Sequence, residues 1–165
     1  DYLFSHSRFN GDISKWNTEN VVLTLNMFDN SVFCGDIGNW NVGRVINMSS
    51  MFSNSKFNGN IGEWDTHSVE NMSGMFAGSI FNQDIENWDV RNVKYMNWMF
   101  KYSKLNKSLD NWNVSSLEQA EGIFLGSEFN RGLIYWGNKI KDKNTGISDY
   151  LFSSNLRWIE YDKLM

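Results

Sequence analysis

The sequence predicts an α/β repeat protein, a right-handed solenoid in which each coil holds a short parallel strand and a short helix. Two observations carry this prediction. Tryptophan recurs every 24 residues, and apolar residues recur at the same interval in five further columns. The tryptophans are Trp16, Trp40, Trp64, Trp88, Trp112 and Trp136. Because these columns share one register, we interpret them as the structural core of stacked units, each packing its apolar face on its neighbours.

The first part of each unit predicts the strand. In residues 9–16, Phe9 and Ile13 stand an even number of positions apart, so an extended chain places both on one face. The run is short and is bounded by Asn and Gly, which is typical of a strand between turns.

The second part of each unit predicts the helix. Val69, Met72, Met75 and Phe76 have the spacing of one helical face. A strand, a turn and a short helix in one unit fit a leucine-rich-repeat-like coil, whose period is about 20–29 residues. A parallel β-helix is the alternative, and it ranks second because the Met-x-x-Met-Phe spacing is helical.

The repeats are expected over residues 1–136, as about six coils of which the first is incomplete. Residues 137–165 are expected to form a modified final coil and a C-terminal cap, since the period breaks after Trp136. The first strand would present an unpaired edge. We therefore expect upstream residues or a neighbouring subunit to cover the N-terminal end of the solenoid.

Composition argues against several functions. The 15 basic and 19 acidic side chains leave a net charge of −4, which is unfavourable for binding nucleic acid. One cysteine and two histidines offer little for a zinc site or for histidine chemistry. We therefore expect no catalytic residues, no cofactor and no metal site. No apolar run approaches the ~18 residues of a membrane span.

Acidic side chains recur on the outward positions of the predicted strand. They are Asp12, Asp36, Asp84, Glu86 and Asp110. One interpretation is that each carboxylate bonds nearby backbone N–H groups. The other is an acidic strip that binds a basic partner or a hard cation such as calcium. A glycosidase using Asp84 and Glu86 is a weaker hypothesis, because that chemistry needs a cleft with a set carboxylate spacing.

An Asn column follows the Phe column and is interpreted as a structural ladder. Its members are Asn10, Asn58, Asn82, Asn106 and Asn130. Cys34 occupies this column in one unit and is interpreted as a replacement for a structural Asn.

A candidate partner patch is formed by Tyr95, Trp98 and Tyr102, at surface offsets of one predicted helix. The units on either side carry glycine at the positions of Trp98 and of Tyr102. Two accounts remain open. The rings could lie flat over the neighbouring glycines, or they could form an exposed patch that anchors a partner.

Residues 81–100 read Phe-Asn-Gln-Asp-Ile-Glu-Asn-Trp-Asp-Val-Arg-Asn-Val-Lys-Tyr-Met-Asn-Trp-Met-Phe. This phrase resembles the BspA-like bacterial surface-protein repeat, which is associated with mycoplasma lipoproteins and has a slightly longer period. The resemblance covers residues 4–136 in six tandem copies. The 24-residue period and the absence of proline favour a giant-virus member.

The resemblance implies a non-enzymatic structural or protein–protein interaction module, on a cell surface, in the extracellular space or in a virion. A protein partner or a neighbouring subunit is then expected. The alternative is an adhesin that binds host protein or carbohydrate through the concave strand face or the aromatic patch.

Overall fold

The computed structural model describes residues 1–133 and Trp136, and the predicted cap over 137–165 lies outside the described residues. Within residues 1–133 there is no helix and no continuous strand, and Trp136 alone is helical. The regular pairing in this part of the chain is a series of isolated parallel β-bridges. They join Leu23 to Asn47, Asn47 to Asn71, Asn71 to Tyr95 and Tyr95 to Gln119. The prediction of a strand and a helix in each unit is therefore wrong, and the β-helix alternative also lacks its sheets.

The predicted helix is replaced by consecutive β-turns. A bond from the Met27 N–H to the Thr24 carbonyl at 3.1 Å closes one turn, and the turn 28–31 follows directly. Asn26 and Asn30, the third residues of these turns, both have a φ of 53°. A positive φ at this position is the mark of a type II turn. It excludes a helix, because every residue of a right-handed helix has a negative φ.

The turns bury the same positions that a helix would bury. Met72, Met75, Phe76 and Ser79 are all buried. Each four-residue turn brings the chain back to the interior, so the spacing of apolar residues is close to that of a helix. The apolar spacing alone therefore cannot distinguish the two structures.

The predicted strand is replaced by bridges from side chains. Phe57 and Ile61 are buried, as an inward face requires. Beside them, however, the Asn82 N–H donates to the side-chain oxygen of Asn58 at 2.8 Å. Where two strands would exchange backbone bonds, an asparagine side chain spans the gap between repeats.

Backbone hydrogen bonds hold the repeats in a stack. The N–H groups of Thr24, Asn26, Phe28 and Asn30 donate to carbonyls 23 residues further along the chain, at 2.8–3.0 Å. The same four positions make the same bonds in the next three repeats, the last set running from Met96 to Tyr102. The intervening N–H groups close the turns. The N–H groups of each turn segment thus bond to carbonyls of their own segment and of the repeat that follows.

The core is a set of aromatic columns parallel to the stack. Phe28, Phe52, Phe76 and Phe100 stack with ring centroids 5.6–5.9 Å apart. In the other repeats a second phenylalanine packs on the first, as Phe57 does on Phe52 at 4.3 Å, whereas the repeat of Phe100 has Leu105 at that position. These rings are fully buried. Aromatic burial between repeats supplies most of the apolar contact that stabilises them.

Five of the six periodic tryptophans are buried, and each indole N–H donates to a backbone carbonyl 27 residues earlier at 2.9–3.1 Å. The donors are Trp40, Trp64, Trp88, Trp112 and Trp136. Trp16 is 44% exposed, although its ring stacks on Trp40. Near it, Tyr2 and Leu3 are also exposed. The expectation that this end of the stack is covered stays a prediction.

Trp64→Ala should lower the free energy of unfolding by about 3–5 kcal/mol, because it empties a buried ring site and removes one of the two N–H donors to the Ile37 carbonyl, the other being that of Trp40. Trp16→Ala is the matched control and should cost roughly half as much or less, since that ring is already partly in water. Urea unfolding measures both. Equal losses would contradict this, because they would show that the partial exposure of Trp16 does not reduce its contribution to stability.

Candidate functional site

Two positions in every repeat have a left-handed backbone, with φ between 50° and 64°. The first column is Tyr2, Asn26, Ser50, Gly74, Trp98 and Gly122. The second is His6, Asn30, Asn54, Gly78, Tyr102 and Gly126. This region favours glycine and tolerates asparagine, whereas a bulky side chain there is unusual. The adjoining repeats have glycine at the positions of Trp98 and Tyr102. The primary explanation for these glycines is the positive φ that both columns require.

Trp98 and Tyr102 belong to one turn segment, residues 97–102. Their N–H groups donate to the carbonyls of Glu121 and Leu125 in the next repeat, both at 2.8 Å. We call these two side chains the aromatic platform. The backbone bonds hold both α-carbons in a fixed position relative to the next repeat.

Tyr95 lies outside the turn segment that carries the platform. It is a bridge residue between Asn71 and Gln119, it is half-buried, and its hydroxyl donates to Glu118 at 3.4 Å. The helix that would have presented it together with Trp98 and Tyr102 is absent.

The platform rings contact the glycines of the next repeat with their edges. A β-carbon added at Gly122 would stand 3.0 Å from Cδ1 and 3.3 Å from Nε1 of Trp98. One added at Gly126 would overlap Cδ1 and Cε1 of Tyr102, while Cγ is 3.6 Å away. Two adjacent ring atoms are close and the next is distant, which is an edge-on approach. The expected flat packing of rings over glycines is therefore replaced by edge packing, and the ring faces are left for other contacts.

Much of the platform surface is exposed, at 44% for Trp98 and 61% for Tyr102. The ammonium of Lys101 lies 5.3 Å from the Tyr102 ring centroid, a cation–π contact on one ring face. Unlike the buried tryptophans, Trp98 has no hydrogen-bond partner for its indole N–H in the described part of the chain. The platform therefore offers aromatic faces and a free donor.

Polar groups surround the platform and are paired with one another. Lys94 pairs with Glu70 at 2.8 Å, and this carboxylate raises the pKa of the Lys94 ammonium. Lys104 pairs with Glu128. Next to Trp98, the Asn97 amide donates to the Gln119 side chain at 2.9 Å. These two ion pairs are thus matched locally, whereas Lys101, beside Tyr102, forms no ion pair within the described residues.

Carboxylates of the predicted acidic strip serve as turn acceptors. Asp12, Asp36 and Asp84 each accept the N–H two residues further on at 2.9 Å. This bond from Ser14 is the main reason why the pKa of Asp12 is lowered. Glu86 accepts the Ser108 hydroxyl at 2.8 Å.

Asp110 caps no turn in this way; its own N–H donates to the Ser108 hydroxyl oxygen at 3.2 Å. In the described ranges no group of three or more His, Cys, Asp or Glu side chains could hold a metal ion. The strand face that would have carried the strip does not exist.

The asparagine column forms a ladder between repeats. The backbone N–H groups of Asn82, Asn106 and Asn130 each donate to the asparagine side chain one repeat earlier, at 2.8–3.1 Å. Cys34 donates its N–H to Asn10 in the same way, at 2.9 Å. Its thiol offers no comparable acceptor to the following repeat, so the ladder has a gap at Asn58.

A network of Asp65, His67 and Ser68 was missed by the sequence reasoning, although all three residues stand within one turn. His67 Nδ1 lies 2.8 Å from Asp65 Oδ1, and Nε2 lies 3.0 Å from the Ser68 hydroxyl oxygen. Ser68 donates to the Gly43 carbonyl at 2.7 Å. Since the hydroxyl proton is committed to that carbonyl, the network ties this turn to the preceding repeat. The local sequence Asp-x-His-Ser was the available signal.

The chain is thus a repeat protein, and residues 1–133 form stacked 24-residue turn units in which Trp98 and Tyr102 are exposed. It belongs to the family described as Mycoplasma protein of unknown function, DUF285, whose model matches residues 1–55 and 25–136. The expectation of a mycoplasma-associated repeat family is confirmed at this level. No curated protein and no solved structure matches the chain. None of the helical structure in the described residues is long and apolar enough to cross a membrane.

Gly78→Ala should lower the free energy of unfolding by about 1 kcal/mol or more, because alanine resists the φ of 64° and its β-carbon would overlap the Asn54 side chain. Gly43→Ala is the control, since it lacks a positive φ and meets only a movable carboxylate at 3.2 Å. Equal effects in thermal unfolding would contradict the role assigned to the left-handed column.

Cys34→Asn should raise the free energy of unfolding by about 0.5–1 kcal/mol, because the new amide oxygen can accept the Asn58 N–H and close the gap in the ladder. Cys34→Ser, whose hydroxyl is too short to span the repeats, should give no such gain. Urea unfolding of the three proteins makes the comparison. A loss of stability in the asparagine variant would count against the ladder.

Asp89→Asn should reduce stability at neutral pH by about 1 kcal/mol or less, since the ion pair is partly exposed. Hydrogen bonds from Arg91 lower the pKa of the Asp89 carboxyl below its ordinary value. The ionised form therefore stabilises the fold above the unfolded-state pKa, and this contribution is lost as pH falls through the folded-state pKa.

Urea unfolding at about pH 7 and about pH 2 should show a gap between wild type and Asp89→Asn that closes in acid. Arg91→Gln removes the partner and should give the same closing gap. A gap that persists unchanged at the lower pH would rule out the ion pair as its cause.

Proposed function

We propose that the chain is a non-enzymatic interaction module that engages a partner through the aromatic platform. The observation that carries the proposal is the placement of Trp98 and Tyr102 at exposed left-handed positions. A non-glycine residue there costs about 1–2 kcal/mol. The adjoining repeats avoid that cost with Gly74, Gly122 and their counterparts. Backbone strain retained at an exposed site is a reason to look for function there.

The surroundings of the platform support this proposal. Interfaces typically have an aromatic centre, where tryptophan and tyrosine contribute most of the binding energy, and a polar rim. Here the aromatic pair is flanked by the Lys94–Glu70 and Lys104–Glu128 ion pairs. A partner that covers the rings can leave these pairs at the edge of the contact, where they remain hydrated.

The carboxylates support a non-enzymatic role. Asp84 and Glu86, the pair considered for glycoside hydrolysis, accept hydrogen bonds from the Glu86 N–H and the Ser108 hydroxyl. Both are thus engaged in holding turns and repeats together. The net charge of −4 supports a partner other than nucleic acid.

We place the module among the BspA-like surface repeats, displayed on a cell surface or assembled in a virion. The phrase at 81–100 supports that placement, and the 24-residue period without proline supports a giant-virus member. A protein partner or a neighbouring subunit, or the carbohydrate of the adhesin alternative, would then meet the platform.

The Trp98→Gly/Tyr102→Gly double variant should lose partner binding and remain folded, because glycine restores what the adjoining repeats carry at both positions. Wild type and variant are immobilised side by side and exposed to the same detergent extract of cell surfaces. The proposal predicts a protein or glycoconjugate retained by wild type and absent from the variant. Identical retention by both proteins would overturn it.

Thermal unfolding of the same pair is the control for folding. The variant loses ring contacts with Gly122 and Gly126 but is freed from left-handed strain, so stability should change by about 1 kcal/mol or less. Ile46→Ser is the control for exposed apolar surface, since Ile46 is 44% exposed, as Trp98 is. It should retain the same partner as wild type.

A further inference from the structure

We infer that the aromatic platform binds a neutral, β-linked oligosaccharide of glucose-type pyranoses. This inference rests on the proposed function and names its ligand. It follows from which parts of the rings are free, from the donors beside them and from the local charge balance.

One edge of each ring packs against a glycine of the next repeat, so a ligand would contact the ring faces. The Cδ1–Nε1 edge of Trp98 approaches Gly122, and the Cδ1–Cε1 edge of Tyr102 approaches Gly126. An aromatic face carries negative charge density and attracts groups of positive polarity. A pyranose whose hydroxyls are all equatorial presents axial C–H bonds on both of its faces. Such a sugar is therefore matched to an aromatic face in shape and in polarity.

A positively charged group already lies over one face of the Tyr102 ring. The Lys101 ammonium lies 5.3 Å from the centroid of Tyr102. The Lys101 side chain is half-buried and forms no ion pair in the described part of the chain, so it can move aside without leaving a carboxylate unpaired. The contact shows that the Tyr102 face is reachable from solvent.

Hydrogen-bonding groups beside the rings suit sugar hydroxyls. The Asn97 amide, adjacent to Trp98 in the chain, accepts the Glu121 N–H and donates to the Gln119 oxygen, which leaves N–H groups of both amides for a ligand. Each of these groups can bond a hydroxyl that projects from the edge of a stacked pyranose. A ligand held by its face and its edge at once is bound in one orientation.

Charge balance favours a neutral ligand over a charged one. The cations Lys94 and Lys104 are matched by Glu70 and Glu128. A strongly basic partner would have to compete with Lys94 and Lys104 for their carboxylates, and an acidic partner would find Lys101 as the one unpaired cation among these three lysines. A neutral saccharide leaves both ion pairs intact. The rigid backbone at Trp98 and Tyr102 reduces the entropy lost on binding.

Isothermal titration calorimetry with chitohexaose and with cellohexaose tests the inference, using isomaltohexaose as the control for linkage. We expect at least one β-linked hexasaccharide to bind with a dissociation constant of about 1 mM or tighter. Trp98→Gly should weaken that binding about tenfold or more. Ile46→Ser should leave it unchanged. Intrinsic fluorescence should change with saccharide in wild type and not in Trp98→Gly.

Absence of binding by both β-linked hexasaccharides overturns the inference, and so does equal binding by wild type and Trp98→Gly. The proposed function is judged separately by the capture experiment. If the platform variant loses a captured protein while no saccharide binds, the ligand is a protein and only the sugar assignment fails. If neither capture nor saccharide binding depends on the platform, both proposals fail.

Discussion

The structure depends on one constraint, which is that each repeat must donate N–H groups from alternate residues to the repeat that follows. Asn26, Phe28 and Asn30 do so in one turn segment. Turns that direct these donors along the stack need a positive φ at two positions. From this follow the Gly, Asn and Ser of both columns and the absence of helices and strands in residues 1–133. Each bond contributes about 0.5–1.5 kcal/mol net, and their regular recurrence sets the register in which the aromatic columns are buried.

The platform is unusual because of the backbone conformation at its two residues. In a helix, a surface tryptophan flanked by glycines would be an ordinary substitution. In the left-handed column it is a residue kept where the backbone disfavours it, with its edge fitted against Gly122 and its N–H free. Under the proposed function, stability and binding make opposite demands on this position. We interpret Trp98 and Tyr102 as side chains retained for binding at some cost to folding.

Much of this architecture could be predicted from the sequence. The 24-residue period, the aromatic core columns and the mycoplasma-associated family were all readable, because burial imposes the same residue types in every repeat. The local structure could not be predicted, because turns bury Met72, Met75 and Phe76 at the same spacing as a helix would. The distinguishing signal was the recurrence of Gly, Asn and Ser at two fixed positions, which indicates a positive φ. The sequence predicted a patch of three aromatic residues, Tyr95, Trp98 and Tyr102, but the edge packing of Trp98 and Tyr102 depends on side-chain geometry that no spacing specifies.

Native-state hydrogen exchange, measured for each amide by NMR, tests the central claim most directly. Asn54 and Asn58 are both exposed, and they stand four residues apart in one repeat. The Asn54 N–H donates to the Ala77 carbonyl at 2.7 Å, whereas the Asn58 N–H faces the gap that Cys34 leaves in the ladder. Backbone bonding between repeats predicts slow exchange at Asn54, as at buried Phe52, and fast exchange at Asn58. Equally fast exchange at Asn54 and Asn58 would contradict it, since the left-handed positions would then make no bond to the next repeat.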